Sequence, residues 1–448
     1  MRTLKTGCFV LEWLNIYAVC YYFNFVFFQL RSEHGFGNKE NLLFAALNGF
    51  LYIFGSWFGG KFAQARGNFA SLSVGFSIMA VAMACGLGAA TPVAHTLVMV
   101  GWTLGICFTW PALEALAAES SSRTGLTRMV GIYNVVWASG AALAYFTGGT
   151  LLELLGPRSL YWLPASVHVV QLVLVWWLNG VAKAKSESPH PLQEPLRPSR
   201  LCGERKEEVN RRDAKNAESK VEGFNARIRS GNSLPLGGGE GVESAGEVKK
   251  DSSAYTQALP ADAGLFLKLA WVANPFAYIA MNTIIPLIPD LAAKLGLSTA
   301  AAGFVASVWM FARLGAFALL WWWPGWHYRF GWLAGAYVLM GASFAALLLV
   351  PSLAVIIVAQ LIFGVSVGLI YYSSLFYSMD VGETKGEHGG FHEALIGMGL
   401  FGGPAVGAVT MHFLPGRSAA GIWAVTALLL VGLVVLLCMR RRTVGKLD

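Results

Sequence analysis

The chain has 448 residues, of which 55% are hydrophobic and only 13% carry charge, and its formal net charge is +8. Soluble domains are charged at about a quarter of their residues, so this composition excludes an ordinary soluble protein. The positive charge does not indicate a nucleic-acid partner, because the surplus of lysine and arginine flanks apolar segments.

Apolar segments long enough to cross a membrane recur along the whole chain. A bilayer core of ~30 Å needs about 20 apolar residues per helix. Twelve segments meet this length, and they cover approximately 8–30, 42–60, 69–90, 93–117, 128–152, 159–181, 264–289, 299–322, 331–350, 352–378, 389–413 and 417–439. We therefore predict an all-α membrane protein with twelve transmembrane helices in two sets of six.

Basic residues predict the orientation of these helices. They are concentrated in the segments that are cytoplasmic if the N-terminus is cytoplasmic, such as Lys61, Arg66 and the run from Arg440 to Arg442. Cytoplasmic loops of membrane proteins carry an excess of lysine and arginine. We expect a multi-pass protein of the plasma or inner membrane, with both termini in the cytoplasm.

One long segment, 182–262, differs from the rest in composition. It is rich in Lys, Arg, Glu, Ser, Gly and Pro and has too few large apolar residues to bury a core. We predict an N-terminal six-helix lobe at 1–181, a disordered cytoplasmic linker at 182–262 and a C-terminal six-helix lobe at 263–448.

Motifs typical of enzymes and metal sites are missing from the sequence. The six cysteines form no Cys-x-x-Cys pair, the one His-x-x-x-His spacing (His388 and His392) lacks the glutamate of a His-Glu-x-x-His motif, and no phosphate-binding Gly-x-x-x-x-Gly-Lys-Ser/Thr loop occurs. The sequence therefore predicts no catalytic residues, no cofactor and no metal site, and we do not expect an enzyme.

A glycine pattern in segment 5 is repeated in segment 11. Gly131, Gly140 and Gly148 have the spacing of Gly390, Gly399 and Gly407. The chain has 51 glycines, so chance is the alternative, but three matches in corresponding segments favour an internal repeat. Small residues let membrane helices approach closely. The predicted helix-packing residues are Gly131, Gly140, Gly148, Gly399, Gly403, Pro404 and Gly407.

Three stretches resemble motifs of the major facilitator superfamily of secondary transporters. The run GLFGGPAVG, from Gly399 to Gly407, resembles the family's Gly-x-x-x-Gly-Pro-x-x-Gly motif, although the family's antiporters carry it in segment 5. The loop GKFAQARGN after segment 2 resembles the family's Gly-x-x-x-Asp-Arg-x-Gly-Arg loop, with Gln64 and Ala65 replacing the acidic–basic pair. Its counterpart, Gly325 to Gly331, keeps the glycines and one basic residue. The resemblance implies two six-helix lobes around a central cavity.

Ionisable residues within the apolar segments are the first candidates for function, since they are costly in a membrane. Arg313 is predicted to bind substrate or act in gating, or else to form a structural ion pair. Glu393 is predicted to couple transport to protons, or else to be stabilised by the start of its helix. Glu114 and Glu12 lie near helix ends, and we expect their side chains to extend into headgroup water.

Uncharged polar residues on the helices that would line the cavity form a second group of candidates. They are Asn24, Gln29, Asn134, Asn282, Tyr371 and Ser374. A buried amide needs a partner, so Asn24 and Asn282 either contact substrate or join two helices.

The sequence as a whole predicts a secondary active transporter that moves a small solute by alternating access, with a proton or ion as a candidate coupling partner. The few charges in the segments favour a neutral, amphipathic or singly charged solute. Its expected partners are the lipid bilayer and the solute, without nucleic acid. The alternative is a membrane sensor that retains the fold and signals through the loop at 182–262 without transport. Solute flux in proteoliposomes, against binding without flux, separates the two.

Overall fold

The computed structural model describes residues 2–118, 123–187, 260, 262–381, 385–417 and 419–444. These residues are almost entirely helical, and twelve of their helices are long and apolar enough to cross a membrane, which confirms the predicted number. The helices are α1 (Arg2–His34), α2 (Asn38–Arg66), α3 (Asn68–Gly86), α4 (Pro92–Ala118), α5 (Arg123–Leu155), α6 (Ser159–Glu187), α7 (Ala263–Ile284), α8 (Thr299–Trp322), α9 (Phe330–Leu349), α10 (Leu353–Val381), α11 (Lys385–Phe413) and α12 (Ala420–Val444).

Most of the predicted linker lies outside the described residues, so its disorder stays a prediction. The predicted lobe boundaries and the cytoplasmic placement of both termini also stay predictions. For reference, we call the end of the bundle at which α1 begins the inner end, following the predicted orientation, and the opposite end the outer end.

The helical structure that begins with α7 extends beyond the predicted apolar segment. A 3-10 turn, Ile285–Leu287, and a short helix, Ile288–Lys294, extend it at the outer end. Pro286 and Pro289 stand near the starts of these two pieces, where a proline's missing N–H is not needed by the helix. Asp290 therefore lies in helical structure.

The two six-helix halves pack together as one compact unit. Their main contacts pair α2 with α11 and α5 with α8. Glycines allow backbones to touch here: a Cβ on Gly49 would collide with the backbone of Leu400 and Phe401, and one on Gly149 would collide with the Thr299 carbonyl. Close backbone approach of this kind is how helices pack in lipid, where apolar side chains gain little from leaving the bilayer.

One pair of the repeated glycines, Gly140 and Gly399, occupies equivalent interfaces in the two halves. Gly140 and Gly148 on α5 lie against α1, where a Cβ at Gly140 would be 2.6 Å from Ile16 Cγ2. Gly399 and Gly403 on α11 lie against α7, and a Cβ at Gly403 would collide with the Ile279 carbonyl and the Thr283 hydroxyl.

The remaining members of the pattern lie elsewhere. Gly131 faces the Trp321 ring of α8, Gly407 faces Leu42 of α2, and Pro404 lies inside α11. The surroundings of Gly390 lie outside the described residues. The packing role of the whole set stays a prediction.

The outer end is closed by polar contacts between the halves. Arg31 Nη2 lies 3.2 Å from Asp290 Oδ1, and Asn38 Nδ2 donates to Asp290 Oδ2 over 3.0 Å. Asn41 Nδ2 also donates to the Pro286 carbonyl over 3.1 Å. Asp290 additionally pairs with Lys294 on its own helix, 2.8 Å away. Two side chains of the N-terminal half, those of Arg31 and Asn38, thus contact one carboxylate of the C-terminal half.

Two neighbouring glycines of α11 provide a matched test of helix packing. We expect Gly403→Ala to lower thermal stability, because its methyl group would collide with α7 backbone and overpacking costs about 1–3 kcal/mol. Gly402→Ala is the control, since its Cβ would be 3.6 Å from the Ile279 side chain and alanine favours the helix by up to ~1 kcal/mol. Thermal unfolding in detergent measures both. Equal stability of the two variants would contradict the packing assignment.

Candidate substrate-binding site

Arg313 lies at the centre of the interface between the halves. It is about 14 residues into α8, roughly 21 Å along the helix from its outer end at 1.5 Å per residue, and is 1% exposed. Its guanidinium carbon is 4.5 Å from the ring centre of Trp137, 4.9 Å from Tyr371 and 5.2 Å from Phe317. These three rings, which we call the aromatic cage, come from α5, α10 and α8, so both halves contribute to it.

The aromatic cage does not supply an anion. Arg313 Nη1 lies 3.5 Å from the Met281 sulfur, and Nε and Nη2 have no hydrogen-bond partner. Among the described residues no carboxylate forms a salt bridge with Arg313. Glu393, Glu114 and the Asn134 amide, which are at comparable depth by sequence, are not its partners. The alternative of a structural ion pair therefore has no partner for Arg313 among the described residues.

Several buried polar groups near the cage also lack partners. Both amide atoms of Asn134, one turn before Trp137 on α5, make no hydrogen bond, and neither does the hydroxyl of Ser374, one turn after Tyr371 on α10. The Asn24 amide nitrogen on α1 is likewise unpartnered. Residues three apart share a helix face, so Asn134 and Ser374 lie on the faces that carry the cage rings.

Two of the predicted site residues are engaged elsewhere. Asn282 Nδ2 donates to the Tyr278 carbonyl one turn earlier on α7, over 3.0 Å. Gln29 Nε2 donates to Glu33 Oε2 over 3.1 Å, near the outer end of α1. Gln29 therefore belongs to the outer end, away from the guanidinium.

A second charged group, the carboxylate cluster, consists of Glu12, Glu114 and Glu393. Tyr52 of α2 donates its hydroxyl to Glu393 Oε2 of α11, joining the two halves. The Glu114 carboxyl is close enough to that of Glu393 to share a hydrogen bond. All three lie towards the inner end, because α1 and α11 begin there and α4 ends there.

Glu12 contradicts the expectation that it reaches headgroup water. Its side chain is 1% exposed, and neither carboxylate oxygen has a hydrogen-bond partner, although Tyr133 and Trp110 are nearby. The position of Glu12 near the start of α1 predicts that its side chain reaches solvent. The side chain instead points into the bundle, towards α4 and α5. Glu114 is partly buried in the same region.

A small cavity adjoins the carboxylate cluster. Its volume is about 20 Å³ and Glu114 and Tyr133 are its polar walls. A cavity of this size holds about one water molecule. Side chains of α10, Leu375 and Met379, form part of the opposite wall.

Some residues that lie against Arg313 or the carboxylate cluster give no distinctive signal in the sequence. Tyr52, Tyr278, Met281 and Phe317 are ordinary apolar or aromatic residues of membrane segments in a chain with 28 phenylalanines and 14 tyrosines. Only Phe317 could be anticipated, because a residue four positions after Arg313 lies on the same face of the helix.

The comparisons with known proteins identify the family. A sequence profile of the Major Facilitator Superfamily matches residues 10–231. The chain belongs to the major facilitator superfamily. Its fold is similar to a mutant of the nucleoside transporter NupG, with a TM-score of 0.62, 10% identity and coverage of 97% of this chain and 99% of that one.

A second solved structure similar to this chain is the human organic anion transporter MFSD10 (TETRAN). The TM-score is 0.61 at 16% identity, and the match covers 97% of this chain and 99% of that one. No curated protein matches the chain in sequence. As a member of the superfamily, the chain is a multi-pass membrane transporter.

Proposed function

We propose that this chain is a secondary active transporter for a small organic solute with one carboxylate group, working by alternating access and coupled to protons. The observation that carries the proposal is the buried Arg313 guanidinium, which has no anionic partner in the described part of the chain. An uncompensated arginine inside a membrane costs at least ~2.5 kcal/mol on insertion scales. Its contacts with three rings offset part of that cost, at about 0.5–2 kcal/mol each.

The two unpartnered donors of Arg313 favour a carboxylate. Nε and Nη2 are the atoms without hydrogen bonds. They lie on one edge of the planar guanidinium and their N–H bonds are parallel, which matches the two oxygens of a carboxylate. A single arginine with no second cation beside it among the described residues suits one negative charge better than several.

The walls of the site favour a solute with an apolar or planar body. Trp137 and Tyr371 stack with ring centres 6.1 Å apart and planes 16° from parallel. Aromatic faces bury apolar surface and stack against rings. The unpartnered Asn134 amide and Ser374 hydroxyl would contact polar substituents of the solute.

The carboxylate cluster supports proton coupling. The carboxyl groups of Glu114 and Glu393 lie close together, and two ionised carboxylates at such a distance repel each other, so the arrangement favours a proton within the pair. Burying three carboxylates together also favours neutralising at least one. Because Tyr52 links Glu393 to the other half, gain or loss of that proton would change a contact between the halves.

The outer contacts support alternating access. Arg31 and Asn38 hold Asp290 at the outer end, so this arrangement is closed there. Opening towards the outside would have to break these contacts. Opening towards the inside would have to separate Tyr52 from Glu393.

The substrate class can be tested with matched acid–amide pairs. We expect benzoate and related monocarboxylates to raise the thermal stability of the purified chain, because a ligand stabilises the folded state by mass action. Benzamide and the corresponding amides lack the charge and should have no effect. Arg313→Lys replaces the planar guanidinium, with its two parallel N–H donors, by an ammonium group. The apparent affinity of this variant for the acids should fall at least about tenfold, or ~1.4 kcal/mol.

Arg313→Met separates ligand binding from folding. Methionine is flexible and apolar, and no carboxylate loses a salt-bridge partner, so stability without ligand should be retained or increased. Loss of fold in this variant would assign Arg313 a structural role. Equal stabilisation by acids and amides would contradict recognition of a carboxylate.

Proton coupling predicts a specific defect in Glu393→Gln. In proteoliposomes, a pH gradient should accelerate uptake of the identified acid by the wild type. Glu393→Gln should retain exchange of solute between the two sides but lose acceleration by the gradient. Glu40→Gln, which changes a partly exposed carboxylate at the outer end, is the control. A Glu393→Gln variant that still responds to the gradient would place the proton site elsewhere.

The sensor alternative differs from the transporter in its dependence on the predicted linker. We expect that replacing residues 188–258 with a Gly/Ser linker of equal length leaves solute flux in proteoliposomes unchanged. A transporter needs only the connection between its halves, whereas a sensor would signal through this segment. Solute binding without flux by the full chain would favour the sensor.

A further inference from the structure

A group of potential metal ligands lies at the outer end, separate from the aromatic cage and the carboxylate cluster. Glu33 and His34 end α1, and His95 lies in the first turn of α4. Each offers a ligand atom, and these atoms lie within 4.8 Å of one another. The rings of His34 and His95 have centres 5.1 Å apart. Sequence spacing gives no sign of this group, because its members come from two helices.

Both histidines have a nitrogen without a partner. His95 is completely buried and its Nε2 makes no hydrogen bond, and His34 Nε2 is also buried and unpartnered. A buried polar atom without a hydrogen bond is unfavourable unless something else satisfies it. The lone pair of an imidazole nitrogen is the usual metal-binding group of histidine.

The hydrogen bonds that hold His95 and Glu33 leave both side chains suited to binding a metal. His95 Nδ1 lies 2.5 Å from the Tyr161 hydroxyl, which fixes the ring and leaves Nε2 as its available nitrogen. Gln29 Nε2 donates to Glu33 Oε2 and so orients that carboxylate. Metal-binding histidines and carboxylates generally have outer partners of this kind.

Helix caps hold the ligands in place. The chain leaves α1 through Gly35, whose φ is +67°, with Gly35 N bonded to the Arg31 carbonyl and Phe36 N to the Leu30 carbonyl. The bond from Gly35 N to the Arg31 carbonyl is the αL capping pattern, and glycine adopts its positive φ without strain. The Thr91 hydroxyl accepts from Ala94 N and caps the start of α4. The negative end of the α1 dipole also favours a cation beside Glu33 and His34.

We propose that Glu33, His34 and His95 form a binding site for a divalent transition-metal ion of the Zn²⁺ type. Two imidazoles and one carboxylate are a common ligand set for Zn²⁺, whereas Mg²⁺ and Ca²⁺ prefer oxygen alone. Tetrahedral Zn²⁺ needs ligand atoms ~3.3 Å apart, given bonds of about 2.0–2.2 Å. Small side-chain rotations of Glu33, which is exposed, and of His34 would close the remaining distance. Water would occupy the fourth position.

Bound metal would join the end of α1 to the start of α4 within the N-terminal half. Arg31 lies two residues before Glu33 on the same helix, so the metal would also restrain the residue that contacts Asp290. The site does not depend on the proposed substrate or on proton coupling.

Metal binding can be measured on the purified full chain in detergent, with any histidine tag removed and metal stripped by a chelator. We expect isothermal titration and elemental analysis to find one Zn²⁺ per chain, and Zn²⁺ but not Mg²⁺ to raise the unfolding temperature. His34→Ala and Glu33→Gln should each bind Zn²⁺ at least tenfold more weakly. Both residues lie at the end of α1 and are not fully buried, so these variants should fold.

His412→Ala is the matched control, because His412 is an exposed histidine at the end of α11. It should bind Zn²⁺ like the wild type. Tyr161→Phe removes the outer partner of His95 and should weaken binding by about 10–100-fold, the usual effect of losing such a contact. Absence of Zn²⁺ binding by the wild type, equal affinity of His34→Ala, or equal stabilisation by Mg²⁺ would overturn the proposal.

Discussion

Close approach of helix backbones across the two halves is the constraint on which the other features of this transporter depend. Side chains in lipid gain little by leaving the bilayer, so helices associate by packing. Gly49 lets α2 touch α11, and Gly149 lets α5 touch α8. The first contact brings Tyr52 to Glu393, and the second brings Trp137 over Arg313. Both candidate functional groups therefore exist only while these interfaces are closed.

The buried charges are divided between two places. Arg313 is surrounded by rings and a sulfur atom, while Glu12, Glu114 and Glu393 lie together nearer the inner end. A salt bridge between the arginine and one of these carboxylates would neutralise both charges and leave no free cation to bind a solute. Their separation leaves a cation available for an anionic solute and a group of acids available for a proton. In the proposed mechanism, solute and proton are coupled because both sites depend on the packing of the same two halves.

The outer end combines a contact between halves with a contact within one half. Asp290 receives Arg31 and Asn38 from the N-terminal half, and the proposed metal ligands begin two residues after Arg31. The end of α1 is therefore held by its glycine cap, by the salt bridge and, in the proposal, by a metal. An element constrained in this way can transmit a change at the outer surface to the contact between Arg31 and Asp290.

The sequence alone determined the number of helices, because spanning a bilayer requires about 20 apolar residues whatever the neighbours are. It also singled out Arg313 and Glu393, since an ionisable residue within an apolar segment is conspicuous. It could not assign their partners, because the rotation of each helix and the identity of its neighbour decide which side chains meet. Only the tertiary structure placed Arg313 among rings instead of acids, turned Glu12 inwards, and brought His34 to His95 from another helix.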